Sequence, residues 1–277
     1  MSGDHVFALE GLAKAGGAPA FRERIAELFA RSGPDTKGVI FSAENLSNAG
    51  NSAIAAGLNE GYDVRIVMYL RRQDELLTSA WQQWGSKLES DFNAWLIMAL
   101  KQYGHWDRTL AEWQRHVGRE AMVVRVFERQ SFVNEDLLQD FVDAIDLDPA
   151  GDGFDFEQAA SNASVTDAIT AMVSGNRQIF KDSHDNRFYT ALDKLMGNAL
   201  VEKTKLSLLT RVQRDKIIEY YRPINEAVCR EYFRGRPRLF TQVDHAKYRY
   251  PSADQMVDEK LRALMTIVAA LVRDRAD

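Results

Sequence analysis

Apolar residues follow two rhythms along this chain. Short runs rich in β-branched residues at Gly38–Ser42 (GVIFS), Val64–Leu70 (VRIVMYL) and Ala121–Phe127 (AMVVRVF) predict three strands. Apolar positions spaced three and four apart predict helices over 5–13, 20–31, 50–60, 74–85, 89–103, 106–117 and 134–146. An Asp/Gly-rich stretch, 146–160, reads as a loop, and helices follow over 165–181, 187–198, 207–233 and 253–274. Gly118 suits a helix C-cap, Pro223 predicts a kink or break, and Ser252 with Gln255 predicts a capping box.

Strands separated by helices predict an α/β protein, with a parallel β-sheet core, helices on both faces and a helical C-terminal half. The reading is a single domain over 1–277, with the sheet contained in residues 1–150 and only helices in residues 151–277. Three strands are thin for this class, in which about four or five are usual.

The second strand runs straight into Arg71-Arg72, and Ser79 follows within a helical pattern. In open α/β sheets ligands sit at the carboxyl ends of strands, and a guanidinium presents a planar fork that suits phosphate oxygens. A helix start adds unpaired N–H groups. Arg71 and Ser79 are therefore candidate anion ligands. The plainer alternative is a surface arginine followed by an ordinary helical serine.

Composition narrows the partners. The chain has 277 residues, 45% hydrophobic and 27% charged, as expected of a globular protein. A formal net charge of −5 argues against a nucleic-acid partner. The lone Cys229 cannot form an internal disulfide, which fits a reducing compartment. The start of the chain lacks the pattern of a signal peptide, and the longest apolar run, Leu264–Val272, is too short to span a bilayer. A cytoplasmic location is the expectation.

Four segments resemble bacterial sulfotransferases that use 3′-phosphoadenosine 5′-phosphosulfate. The first is VRIVMYLRRQDELLTSAWQQW at 64–84, similar to the family's strand, arginine and serine that grip the 3′-phosphate. The second is FSAENLS at 41–47, similar to the turn that precedes this strand. The third is VVRVFERQSFVNEDLLQDFVDAIDL at 123–147, and the fourth is INEAVCREYF at 224–233 with Leu239-Phe240. Together they span about residues 38–240. The resemblance implies a P-loop NTPase-like sulfotransferase architecture, with Arg71 and Ser79 on the 3′-phosphate. It places Glu44 at the sheet edge on the acceptor side, as base or substrate orienter. Family members also open with a strand and a loop of the type Lys-x-Gly-Thr/Ser-Thr/Ser. Here Gly11-Leu12-Ala13-Lys14-Ala15-Gly16-Gly17-Ala18 keeps the Lys spacing but has Gly17 and Ala18 in place of the hydroxyl pair. Lys14 is thus either a cofactor ligand or a residue of a helix that ends at Gly16-Gly17. On the second reading the chain is a sulfotransferase shortened at its N terminus.

The implied activity is transfer of a sulfuryl group from 3′-phosphoadenosine 5′-phosphosulfate to a hydroxyl, on a small molecule or a carbohydrate, without a metal. The rival reading is a non-catalytic binding or scaffold protein derived from the same fold. A third is a polysaccharide-recognising partner that uses no nucleotide. Glu44 also reads as a plain turn carboxylate. Arg72 is expected to pair with Asp74 or Glu75, and Arg125 to pair with Glu128 or point into the cleft, with pairing preferred. His5, His105, His116, His184 and His245 show no metal-ligand spacing. Trp81, Trp84, Trp95, Trp106 and Trp113 read as core, and Cys229 as an inert buried thiol. The apolar face of 256–272 either packs on the domain or pairs two chains as a homodimer, with packing preferred.

Overall fold

The computed structural model describes residues 17–34, 36–48, 50–148, 150, 167–196 and 205–274. The helix expected over 5–13, Lys14 and most of the 146–160 loop lie outside them. In chain order the longer elements are α1 (Ala18–Arg31), β1 (Ile66–Leu70), α2 (Gln73–Ala80), α3 (Phe92–Gln102), α4 (Trp106–Val117), β2 (Met122–Val126) and α5 (Leu137–Ala144). Then come α6 (Asp167–Ser174), α7 (Arg187–Met196), β3 (Lys205–Leu206), α8 (Arg211–Tyr232), β4 (Tyr248–Arg249) and α9 (Ala253–Asp274). The fold is mixed α/β and mostly helical.

The chain divides into two compact units that interleave in sequence. The first takes Met1–Leu70, His105–Phe154 and Ile224–Leu239. The second takes Arg71–Gly104, Asp155–Pro223 and Phe240–Asp277. Each therefore draws on both the first 150 residues and the remainder.

In the first unit β1 and β2 pair in parallel, from Ile66 opposite Met122 to Leu70 opposite Val126. Met122, Val126 and Leu70 are buried, and the rest of β1 is half-buried. The expected third strand is not formed: residues 36–43 have no regular structure, and Ile40 is 60% exposed. Phe41 instead lays its ring 4.7 Å from that of Phe21 on α1. Local β-propensity alone does not hold a strand that has no ladder partner. The helix expected over 50–60 is two short 3₁₀ turns, Asn51–Ala55 and Leu58–Glu60, separated by Gly57 at φ 72°. Helix α4 has its predicted bounds and ends at Gly118, whose φ of 83° favours glycine. It buries Trp106, Leu110, Trp113 and Val117, spaced four, three and four apart.

Arg125 was expected to pair with Glu128. It reaches across to α5 instead, with Nη2 2.5 Å from Asp143 Oδ2 and Nη1 3.7 Å from Asp140 Oδ1. Asp140 also accepts a 2.6 Å hydrogen bond from Tyr69 OH of β1. Burial and this bond push the Tyr69 phenol well above its ordinary value. These contacts tie α5 to both strands.

In the second unit α2 runs into a π-turn at Trp81–Gly85 and a last turn at Ser86–Leu88. Trp81 packs on Phe92 and Trp95 of α3. A Cβ on Gly85 would come within 2.7 Å of both Trp81 and Trp95, so only glycine fits there. Helices α6, α7 and α9 bury Ile169, Val173, Leu192, Met196 and Ile267 with Phe180. Helix α9 has its predicted bounds, and the capping box is complete. Ser252 N donates to Gln255 Oε1 at 2.9 Å, and Gln255 N to Ser252 Oγ at 3.2 Å. Helix α8 runs unbroken through Pro223, and the division between the units falls at this residue. The two-residue ladder of β3 with β4, also parallel, was not anticipated.

Candidate functional site

Arg71 and Arg72 open the second unit. They follow Leu70, the fully buried last residue of β1. The two arginines have different surroundings. Arg72 caps α2 and is largely buried. Its Nε donates to Asp74 Oδ1 at 2.7 Å, and its Nη2 donates to Glu75 Oε1 at 3.2 Å and Tyr248 OH at 3.3 Å. The expected pairing of Arg72 with Asp74 or Glu75 is thus met by both. Arg71 is half-buried, with Nε 3.8 Å from Glu75 Oε2. Ser79 lies on α2 and is also half-buried.

Asp74 is fully buried and pairs a second time, with Arg214 of α8. Arg214 is itself buried, donates to Ser207 Oγ at 3.0 Å, and lies 3.7 Å from the centre of the Tyr248 ring. The Tyr248 hydroxyl donates to Glu75 Oε1 at 2.9 Å. The guanidiniums of Arg71, Arg72 and Arg214 thus gather around the carboxylates of Asp74 and Glu75.

The ionisation of the cluster follows from these contacts. Burial alone would raise the Asp74 pKa, but the hydrogen bond and charge of Arg72, with Arg214, hold it below the usual carboxylate range. Burial works against the Arg72 charge too, and Asp74 and Glu75 outweigh it, so Arg72 is held firmly protonated. Burial, then the Glu75 charge, push the Tyr248 phenol well above its ordinary value. A buried charge survives only when paired, and each buried charge here has its counter-ion within the unit.

At the margin of the cluster, His245 Nε2 stands 3.1 Å from Asp215 Oδ1, and His245 Nδ1 2.7 Å from Tyr250 OH. Burial raises the Tyr250 pKa, and Arg214 opposes that rise.

Two positively charged elements that usually attract anions differ here. The positive end of α2 already carries Asp74 and Glu75 in its first turn. An incoming anion would therefore be drawn by the guanidinium of Arg71 more than by the helix dipole. Glu75 would be its competitor for Arg71.

Of the four candidate residues, Arg71 and Ser79 both fall in the second unit, Arg71 just before α2 and Ser79 in its last turn. Glu44 opens a 3₁₀ turn, Glu44–Ser47, in the first unit. The strand expected to deliver it to a sheet edge is absent, so it sits in a turn between irregular segments. Lys14 is outside the described residues. Among those residues no group of three His, Cys, Asp or Glu could hold a metal ion. The five tryptophans divide between the units. Trp106 and Trp113 are buried in the first, Trp81 is buried in the second, and Trp84 and Trp95 are half-buried there. Cys229 is buried, and burial pushes its thiol pKa up.

Sequence reasoning missed Arg214, Ser207 and Tyr248, which complete the cluster from 140 and 176 residues away in the cases of Arg214 and Tyr248. One signal was present. Arg214 shares its helical stripe with Ile217 and Tyr221, both buried, so a charged residue stands on an apolar face.

A protein of Archaeoglobus fulgidus described as uncharacterized is 26% identical over 200 residues, which cover 70% of this chain and 53% of that protein. The chain spans about half the length of this relative. No protein-family profile matches the chain, and no solved structure matches it.

Proposed function

We propose that the second unit binds the 3′-phosphate of an adenosine 3′,5′-bisphosphate nucleotide through Arg71 and Ser79, as the donor-binding element of a sulfotransferase-like protein. The observation that carries this reading is the placement of Arg71, which follows the buried Leu70 at the end of β1 and stands at the start of α2, where its half-buried guanidinium is 3.8 Å from Glu75. A phosphate ester would offer Arg71 a bidentate partner in competition with Glu75. Arg72, Asp74 and Arg214 fix the backbone on which Arg71 is mounted, so the guanidinium is pre-positioned and little ordering is needed on binding. The sequence resemblance supports the same assignment, and with it the P-loop NTPase-like architecture and 3′-phosphoadenosine 5′-phosphosulfate as donor.

In the full reaction a hydroxyl oxygen of the acceptor, a carbohydrate on this reading, attacks sulfur. The bond from sulfur to the phosphate oxygen breaks, the hydroxyl proton passes to a base, and adenosine 3′,5′-bisphosphate leaves. Gly17 and Ala18, standing where the family has hydroxyls, favour a second reading in which the nucleotide is bound without catalysis.

Thermal unfolding with adenosine 3′,5′-bisphosphate tests the site. At a ligand concentration 100 times Kd, wild type should gain about 2.7 kcal/mol. Arg71→Ala should gain nothing, and Glu75→Gln, which removes the competing carboxylate, should bind several-fold tighter. No shift in wild type would sink the proposal. Transfer of labelled sulfate to oligosaccharides then separates the enzyme from the non-catalytic reading.

A further inference from the structure

Helix α9 carries two apolar stripes. One, with Ala263, Ile267 and Ala270, packs on α6 and α7. The other is offset by one residue, or about 100° around the helix. It comprises Val257, Leu261, Leu264, Val268 and Leu271, at intervals of four, three, four and three. These five, with Met265 and Val272 on their flank, are between 41% and 64% exposed. The spacing is that of a coiled-coil seam, with Leu261 and Val268 at a positions and Val257, Leu264 and Leu271 at d. No charged residue interrupts it from Val257 to Leu271.

We propose that this stripe is the interface of a homodimer, in which α9 of two copies pairs as an antiparallel two-helix seam. Three observations select a second copy. First, a twofold axis near residue 266 sets Leu261 against Leu271 and Leu264 against Val268 of the other copy, so these central layers each pair an a with a d residue. Second, that register brings Lys260 beside Asp274 of the other copy, twice by symmetry, which opposes charges at both ends of the seam. Third, the exposed apolar side chains amount to on the order of 600 Å² per copy. That is at the upper limit of ordinary monomer patches and, doubled, reaches the area of a specific interface. A lipid surface fits less well. The charged residues of α9 are Asp254, Asp258, Glu259, Asp274, Lys260, Arg262 and Arg273, more acidic than basic, and no aromatic residue accompanies them.

Sedimentation of the full chain at micromolar concentration should give a dimer, and Leu264→Lys a monomer with unchanged circular dichroism, since Leu264 is solvent-exposed. Lys260→Asp alone should weaken the dimer several-fold, and Lys260→Asp with Asp274→Lys should restore it. The native Cys229 is buried, so introduced thiols report alone. Met265→Cys, close to the twofold axis, should crosslink to its counterpart with a short bismaleimide, and Leu261→Cys should not. A monomeric wild type overturns the proposal, whether a segment of the same chain covers the stripe or anionic vesicles bind it. So does a dimer indifferent to Leu264→Lys, or a crosslinking pattern reversed between the two cysteines, which would mean parallel helices.

Discussion

Asp74 faces two guanidiniums with no access to water, and its energetics follow from that placement. Replacing one member of a buried ion pair leaves the other charge uncompensated, at a cost of about 3–5 kcal/mol. Asp74→Asn should therefore lower stability by that amount, read as a lower urea midpoint at constant m-value. The pH dependence has a definite sign. The folded-state pKa of Asp74 is depressed. Its contribution is therefore complete above the unfolded value of about 4 and is lost as pH falls through the lower folded value. Urea midpoints of wild type should drop over this acid range, and those of Asp74→Asn should drop less. At this scale half of the cluster was legible. The charge sequence Arg-Arg-Gln-Asp-Glu shows the pairing of Arg72, because its partners lie two and three residues on. Arg214 and Tyr248 belong to distant segments, and no local pattern links them to Asp74. Arg125 shows the converse: Glu128 was the near carboxylate, and the more distant Asp143 took the contact.

Among the elements, long amphipathic helices were read most closely, and short strands least. Helices α4 and α9 keep their predicted ends because a periodic stripe and a capping signal agree at each. GVIFS has the composition of a strand, but a strand needs a partner, and the sheet of β1 and β2 does not take this segment on either edge. The ladder of β3 with β4 is two residues long, too short for any alternation to register. The π-turn after α2 was invisible too, since i to i+5 bonding leaves no composition signal. Its requirement for glycine is testable. Gly85→Ala would press a methyl group into Trp81 and Trp95 at 2.7 Å, so thermal unfolding should show a loss of about 1–3 kcal/mol. A change in near-ultraviolet circular dichroism from the displaced indoles should accompany it.

At the scale of the whole molecule the main fact is the interleaving. The chain passes from one unit to the other after residues 70, 104, 154, 223 and 239. The sequence reading put the sheet in residues 1–150 and helices alone in residues 151–277, within one domain. It does not show which distant segments return to complete a core. Val228, Cys229 and Leu239 are buried in the first unit and come from the far end of the sequence. Fragments 1–150 and 151–277 expressed apart should therefore each have an incomplete core. Far-ultraviolet circular dichroism and amide exchange should show neither cooperative unfolding nor protected amides. Co-expression of the two should recover both. The parallel pairing of β1 with β2 was legible because both strands are apolar and helical segments separate them. Three strands were read where two stand in that sheet.

The partition of tryptophans also supplies a set of intrinsic optical probes. Trp106→Phe with Trp113→Phe would silence indole emission from the first unit. Trp81, Trp84 and Trp95 would then report on the second alone, on the side of the chain where nucleotide is proposed to arrive. Quenching on titration could be assigned to one unit without any attached dye.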